Sequence, residues 1–234
     1  MNLRSTESQH FVERKYVMAQ RERQGGARRR RARALRALCC GVIALLAGAG
    51  VAQAQLQQVK LTAADGAAND YLGISVAVSG DTAVVGARGD DSSRGSAYVY
   101  ARAGGVWTLQ VKLTAADGAA NDYFGISVAV SGDTAVVGAL GDDSWRGSAY
   151  VFTRTDGVWT LQAKLTAEDG AALDAFGRSV AVSGDTVVVG ASARRAAYVY
   201  TRAGGFWTQQ AKLTGDDAYS NFGWSVAVSG DTAV

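Results

Sequence analysis

The run Tyr71-Leu-Gly-Ile-Ser-Val-Ala-Val-Ser-Gly-Asp-Thr-Ala-Val-Val-Gly-Ala87 recurs with few changes at 123–139 and 175–191, and again from Asn221 to Val234. Its glycines Gly73, Gly125, Gly177 and Gly223 stand 52, 52 and 46 residues apart. A unit of that size is one supersecondary element, too small to bury both of its faces alone, so copies must stack. The third interval is shorter because the loop 191–198 is tighter than 139–150, and loops absorb deletions at little entropic cost. Within a unit, Ser75–Val78 and Thr82–Val85 flank Ser79-Gly80-Asp81, where glycine supplies the positive φ of a tight hairpin. Ser96–Arg102 and Val106–Leu113 flank Ala103-Gly104-Gly105, a second hairpin. No helical period is evident beyond residue 55, and proline, which would remove ladder donors, is absent from the chain. The expectation is an all-β, propeller-type array of four-stranded antiparallel blades, three full and one partial, in an incomplete or open ring. Val76, Val78, Val84 and Val85 predict inner strands buried on both faces, and Tyr98, Tyr100, Trp107 and Leu109 one face of the outer pair.

The residues Tyr-Phe-Gly-Ile-Ser-Val-Ala-Val at 123–130 and Val-Val-Gly-Ala at 136–139 resemble the FG-GAP repeats of bacterial exported proteins, similar to the blades of integrin α-chain propellers. The pair is intact at Phe124-Gly125, Phe176-Gly177 and Phe222-Gly223, with Leu72-Gly73 as a departure. The resemblance implies repeat units near 62–113, 114–165, 166–213 and 214–234, the last truncated. Integrin-type blades often carry an Asp-rich calcium loop between their first two strands. Here that loop is only Ser-Gly-Asp, so calcium binding does not transfer to it.

Residues 1–54 are compositionally different. They hold 11 of the 24 Lys and Arg but 3 of the 21 Asp and Glu, leaving 13 basic against 18 acidic residues in 55–234. The apolar run Leu38–Val51 follows the arginines of 28–36 and precedes Ala52-Gln53-Ala54, the small-x-small pattern of a cleavable signal peptide. Cleavage is expected after Ala54, with Met18 a candidate true start and no membrane span left once the leader is removed. The basic charge therefore belongs to the leader, which argues against a nucleic-acid partner. The destination implied is secreted, periplasmic or cell-surface.

Cys39, Cys40, His10, Met1 and Met18 all precede the expected cleavage site, so 55–234 has no His, Cys or Met. That inventory removes imidazole bases, thiolates and the usual zinc ligands, and the expectation is that the chain is not an enzyme. Carboxylate-pair glycoside chemistry needs only two acids and is the remote alternative. Asp90, Asp91, Asp142 and Asp143 are the candidate calcium ligands, though their spacing lacks the alternation of a calcium loop, and no cofactor is expected. Arg88-Gly89-Asp90 spells an adhesion tripeptide, but the second unit has Leu140 in place of the arginine, marking a substituted Gly-Asp-Asp turn. Lys60, Lys112, Lys164 and Lys212 occupy one repeat position and are expected as edge charges that discourage strand pairing. Trp107, Trp159 and Trp207 recur and suit packing. Trp145 and Trp224 do not recur, which makes them candidate ligand contacts. The function expected is an extracellular interaction or adhesion module that presents its loops to a protein or glycan. The alternative is a structural spacer or fragment of a larger surface protein, with another chain completing the propeller.

Overall fold

The computed structural model describes residues 59–215 and 221–234, and the leader with its Ala54 site lies outside them. The first unit folds as β1 (Ser75–Ser79), β2 (Thr82–Ala87), β3 (Ser96–Ala103) and β4 (Val106–Leu113), a four-stranded antiparallel meander in that order. The second repeats it as β5 (Ser127–Ser131), β6 (Thr134–Ala139), β7 (Ser148–Thr155) and β8 (Val158–Leu165). The third follows as β9 (Phe176–Ser183), β10 (Thr186–Ala191), β11 (Ala196–Ala203) and β12 (Phe206–Thr214). A two-stranded sheet, β13 (Val228–Ser229) and β14 (Thr232–Ala233), completes an array that does not close. Among the described residues no helix is long and apolar enough to cross a membrane.

Turn chemistry fixes each register. Ser79 pairs with Thr82 across Gly80-Asp81, with Gly80 at φ +57°. Between β3 and β4 both Gly104 and Gly105 have positive φ, the geometry whose twist suits a hairpin. A bulge then shifts β4 by one residue between the pairs Val99–Val111 and Tyr100–Leu109. Its consequence is chemical: Lys112 comes to lie opposite Tyr98, although Trp107 and Leu109, of the other parity, oppose Arg102 and Tyr100 on that same face. The bulge recurs in the second and third sheets.

Each sheet has a valine face and a tyrosine face, and the valine face of one packs on the tyrosine face of the next. The first joint gathers Val84, Ala97, Val99 and Leu113 against Phe124, Val128, Val137, Tyr150, Phe152 and Trp159. The second repeats it around Phe176. Phe124 and Phe176 are fully buried, each making edge or tilted ring contacts with two aromatic residues of its own sheet. The backbones come so close that a Cβ on Gly86 would lie 2.0 Å from the Gly125 carbonyl oxygen, and one on Gly125 would lie 2.2 Å from that of Ser96. Ser75 Oγ donates to the Gly125 carbonyl at 2.8 Å, and Ser127 and Ser179 make the same bond to Gly177 and Gly223. The Phe-Gly pair and the Gly-Ala corner are thus two halves of one joint.

The first sheet corrects one expectation. β2 is buried throughout, but Val76 on β1 is 58% exposed, whereas Val128 at the same repeat position is 9% exposed. Among the described residues no sheet packs on the tyrosine face of the first unit; Leu61, Ala63, Leu72 and Trp107 pack against its buried Tyr98 and Tyr100, and the exposure is at β1. A Cβ on Gly73 would meet nothing within 4 Å, unlike one on Gly125, Gly177 or Gly223.

Candidate functional site: the loop end of the blades

A four-stranded meander sends its first and third connections to one end and its second, together with the link to the next sheet, to the other. At the first end lie two-residue turns that scarcely differ between units, tied in series by bonds from Gly132, Gly184 and Gly230 N–H to Ser79, Ser131 and Ser183 Oγ. The other end carries the longer connections, in which the units differ in sequence: 88–95, 140–147 and 192–195. A site that is not copied from blade to blade must be built there.

The recurring chemistry at this end is an acid–lysine clamp. Lys112 Nζ lies 2.5 Å from Asp65 and 2.7 Å from Asp90, while Tyr98 OH donates to Asp65 at 2.9 Å and Ser96 Oγ to Asp90. Lys164 does the same with Asp117 and Asp142, supported by Tyr150 and Ser148. In the third unit the Gly-Asp-Asp turn is missing. Lys212 then holds Asp169 at 2.6 Å, and Arg194 reaches both Asp169 and Asp174. Hydrogen bonds from Lys112, then Tyr98, hold the Asp65 carboxyl below the usual carboxylate range. Burial followed by the bond to Asp65 pushes the Tyr98 phenol up to about 12. Burial alone would lower the Lys112 ammonium, but Asp65, Asp90 and Tyr98 overcome that and raise it.

These contacts place the residues singled out in sequence. Lys112, Lys164 and Lys212 are not edge charges; they are partly buried counterions inside the loop end, because the bulge turns them onto the tyrosine face, whereas Lys60 is exposed. Asp90 and Asp142 are buried beneath those ammonium groups, and Asp91 and Asp143 pair at the surface with Arg94 and Arg146. Among the described residues no three metal-ligating side chains converge on one point. The Arg88-Gly89-Asp90 tripeptide cannot be displayed as such, since its aspartate is buried and held by Lys112 and Ser96. Gly125, Gly177, Gly223, Phe124 and Phe176 lie in the joints, Phe222 is partly exposed, and Gly73 faces open space.

Trp145 and Trp224 sit in different settings. Trp224, 56% exposed, lies under the Arg178 guanidinium at 3.8 Å. Trp145, 42% exposed, lies 5.6 Å from the Tyr123 ring at a 55° tilt. Tyr123 is also approached by Arg88, whose guanidinium carbon is 5.7 Å from that ring and 4.9 Å from the ring of Tyr71. Tyr71 and Tyr123 both take left-handed backbone, at φ +55° and +57°, which holds them in the loop rather than in a strand. The row Tyr71, Arg88, Tyr123, Trp145 was not legible from spacing. Its only trace in the sequence is that Arg88 and Trp145 each break the repeat, at different positions of neighbouring units.

Stacked antiparallel meanders with glycine-lined joints define a repeat protein of propeller type, built as an open blade array. The FG-GAP repeat family model matches residues 56–100, 107–152, 159–200 and 207–234, and the chain belongs to that family. The second and third matches each begin in the last strand of one sheet and end in the third strand of the next, so the recurring sequence unit straddles a joint. No curated protein matches the chain.

Proposed function

We propose that the chain is a non-enzymatic interaction module, exported by its leader, whose blades hold a loop surface toward a protein or glycan. The observation that carries this reading is that two residues breaking the repeat, Arg88 and Trp145, meet on one partly buried tyrosine, Tyr123, at the loop end. Sequence drift in solvated loops has no reason to converge in space. The absence of His and Cys from 55–234 supports the non-enzymatic part, as does the commitment of the paired acids to lysine clamps. Those clamps also supply, from the chain itself, the positive charge a calcium ion would bring. The test is loop exchange: replacing 89–94 and 141–146 by the short connection of the third unit should abolish saturable binding to immobilised saccharides or matrix proteins. Alterations in the Ser-Gly-Asp turns should leave it intact. If no ligand is bound saturably by either form, the module reading fails.

A second reading has its own observation. The exposed β1 side of the first sheet, with Val76 and Val78 open to solvent and Gly73 unmet, matches the half of a joint that elsewhere receives a Gly-Ala corner. The corners at Gly86, Gly138 and Gly190 already meet Gly125, Gly177 and Gly223. In this reading another chain brings a repeat with its own corner and the array is an assembly unit. Sedimentation of the protein with and without such a repeat would reveal a complex that Val76→Lys abolishes.

A further inference from the structure

Every other arginine or lysine given a polar partner at the loop end is tied to a carboxylate, but Arg88 is not. Its guanidinium lies against the rings of Tyr71 and Tyr123, and its Nε is buried with no acceptor. The nearest acids along its loop are already committed, Asp90 to Lys112 and Asp91 to Arg94. A guanidinium held against two rings, with its Nε buried, is restrained, so less rotamer entropy remains to be lost when its fork meets a planar anion. Beside it the aromatic surface continues through Tyr123 to Trp145. Fixed charge and adjoining ring faces together ask for a ligand in which a carboxylate is attached to a flat, weakly polar ring.

Resting on the interaction-module reading, we propose that Arg88, flanked by Tyr71, Tyr123 and Trp145, is a binding site for a uronic-acid-bearing saccharide. The carboxylate accepts two N–H bonds from Arg88, and the neighbouring sugar ring lies against the Trp145 and Tyr123 faces. A saccharide fits better than an acidic peptide, because the row exposes ring surface and a charge but no free strand edge to pair with a peptide backbone. The third unit, with Ala175 and Ser192 at the tyrosine and arginine positions and no Trp145 counterpart, has no such site.

The test uses a short oligogalacturonate, its neutral oligogalactose counterpart and a poly-Glu peptide, titrated into the full chain by calorimetry and tryptophan fluorescence. Oligogalacturonate should bind saturably, quench Trp145 and weaken as salt rises, with the neutral sugar at least about tenfold poorer, a difference of about 1.4 kcal/mol. Arg88→Leu installs the residue that the second unit already carries, so the fold should persist, and it should erase the preference for the charged sugar. Trp145→Ser, the residue of the first unit, should weaken both sugars. Saturable binding of the uronate that Arg88→Leu leaves unchanged overturns the site while sparing the module reading. Preference for poly-Glu over the saccharide, or failure of the uronate to bind while another ligand still depends on the loops, overturns the ligand class alone. No loop-dependent binding of any kind sinks both.

Discussion

Lys164 bridges a half-exposed carboxylate, Asp117, and a buried one, Asp142. Removing the ammonium strands Asp142 with only a serine partner, and stranding a buried charge is worse than never having had the pair. Since the clamp is partly open to water, Lys164→Met should cost about 2 kcal/mol. Chemical denaturation would measure it, and adding Asp142→Asn should recover much of the loss. Independent additive effects would show that the clamp is inert. Titration gives a second check. Asp65, Asp117 and Asp169 have folded pKa values below their unfolded ones, so the stability they supply is present above about pH 4 and drains away as pH falls further. Asp122 runs the other way, raised by burial despite the N–H of Ala119, and offsets part of that loss. Tyr98 is raised, so its share persists below its unfolded value near pH 10 and is lost as pH climbs through about 12. Melting temperature should therefore be flat from about pH 5 to 9 and fall on both sides. A maximum near neutrality with steep flanks would contradict it.

At the scale of strands and joints, two glycines with nearly the same backbone separate strain from crowding. Gly73 and Gly125 sit at φ +95° and +89°, but only Gly125 faces a neighbouring carbonyl where a Cβ would go. Gly73→Ala should cost about 1–2 kcal/mol for the backbone alone. Gly125→Ala should exceed it by about 2 kcal/mol or more, because the sheets must part to admit the methyl group. Equal losses in urea titrations would mean that the joint yields freely. Val76→Thr and Val128→Thr make the same comparison on a strand: the first should stay within about 0.5 kcal/mol, and the second should cost at least about 1 kcal/mol through its buried hydroxyl.

Across the whole array, each sheet touches only its neighbours, so stability is a sum of sheets and joints rather than one indivisible core. β6 lies between two joints, whereas β1 has one open face and β13–β14 is a two-stranded ribbon, marginal by itself. Amide exchange should be slowest in β6 and β10, faster in β1 and fastest in β13–β14. Uniform protection across the four sheets would show that the array opens as a unit.

Much of this architecture could be read from the repeat alone. The strand starts at Ser75, Thr82, Ser96 and Val106 and both hairpins follow from alternation and Gly-containing turns, and recurrence marks the Phe-Gly pairs as repeat positions without showing that they form the joints. These are local signals, and each recurrence restates them. The bulge that turns Lys112 onto the tyrosine face was not legible, since no residue type marks it and its purpose lies 47 residues away at Asp65. The exposure of Val76 was likewise hidden, because the first unit spells the same valines as the second, and only packing among the described residues leaves Val76 open where Val128 is covered. What the amino-acid order determined by itself was the blade, through periodicity and turn residues acting over a few positions. Which charges neutralise one another, which valines stay wet and which departures from the repeat meet on Tyr123 were decided by stacking, because contacts between units depend on register and proximity that no single unit contains.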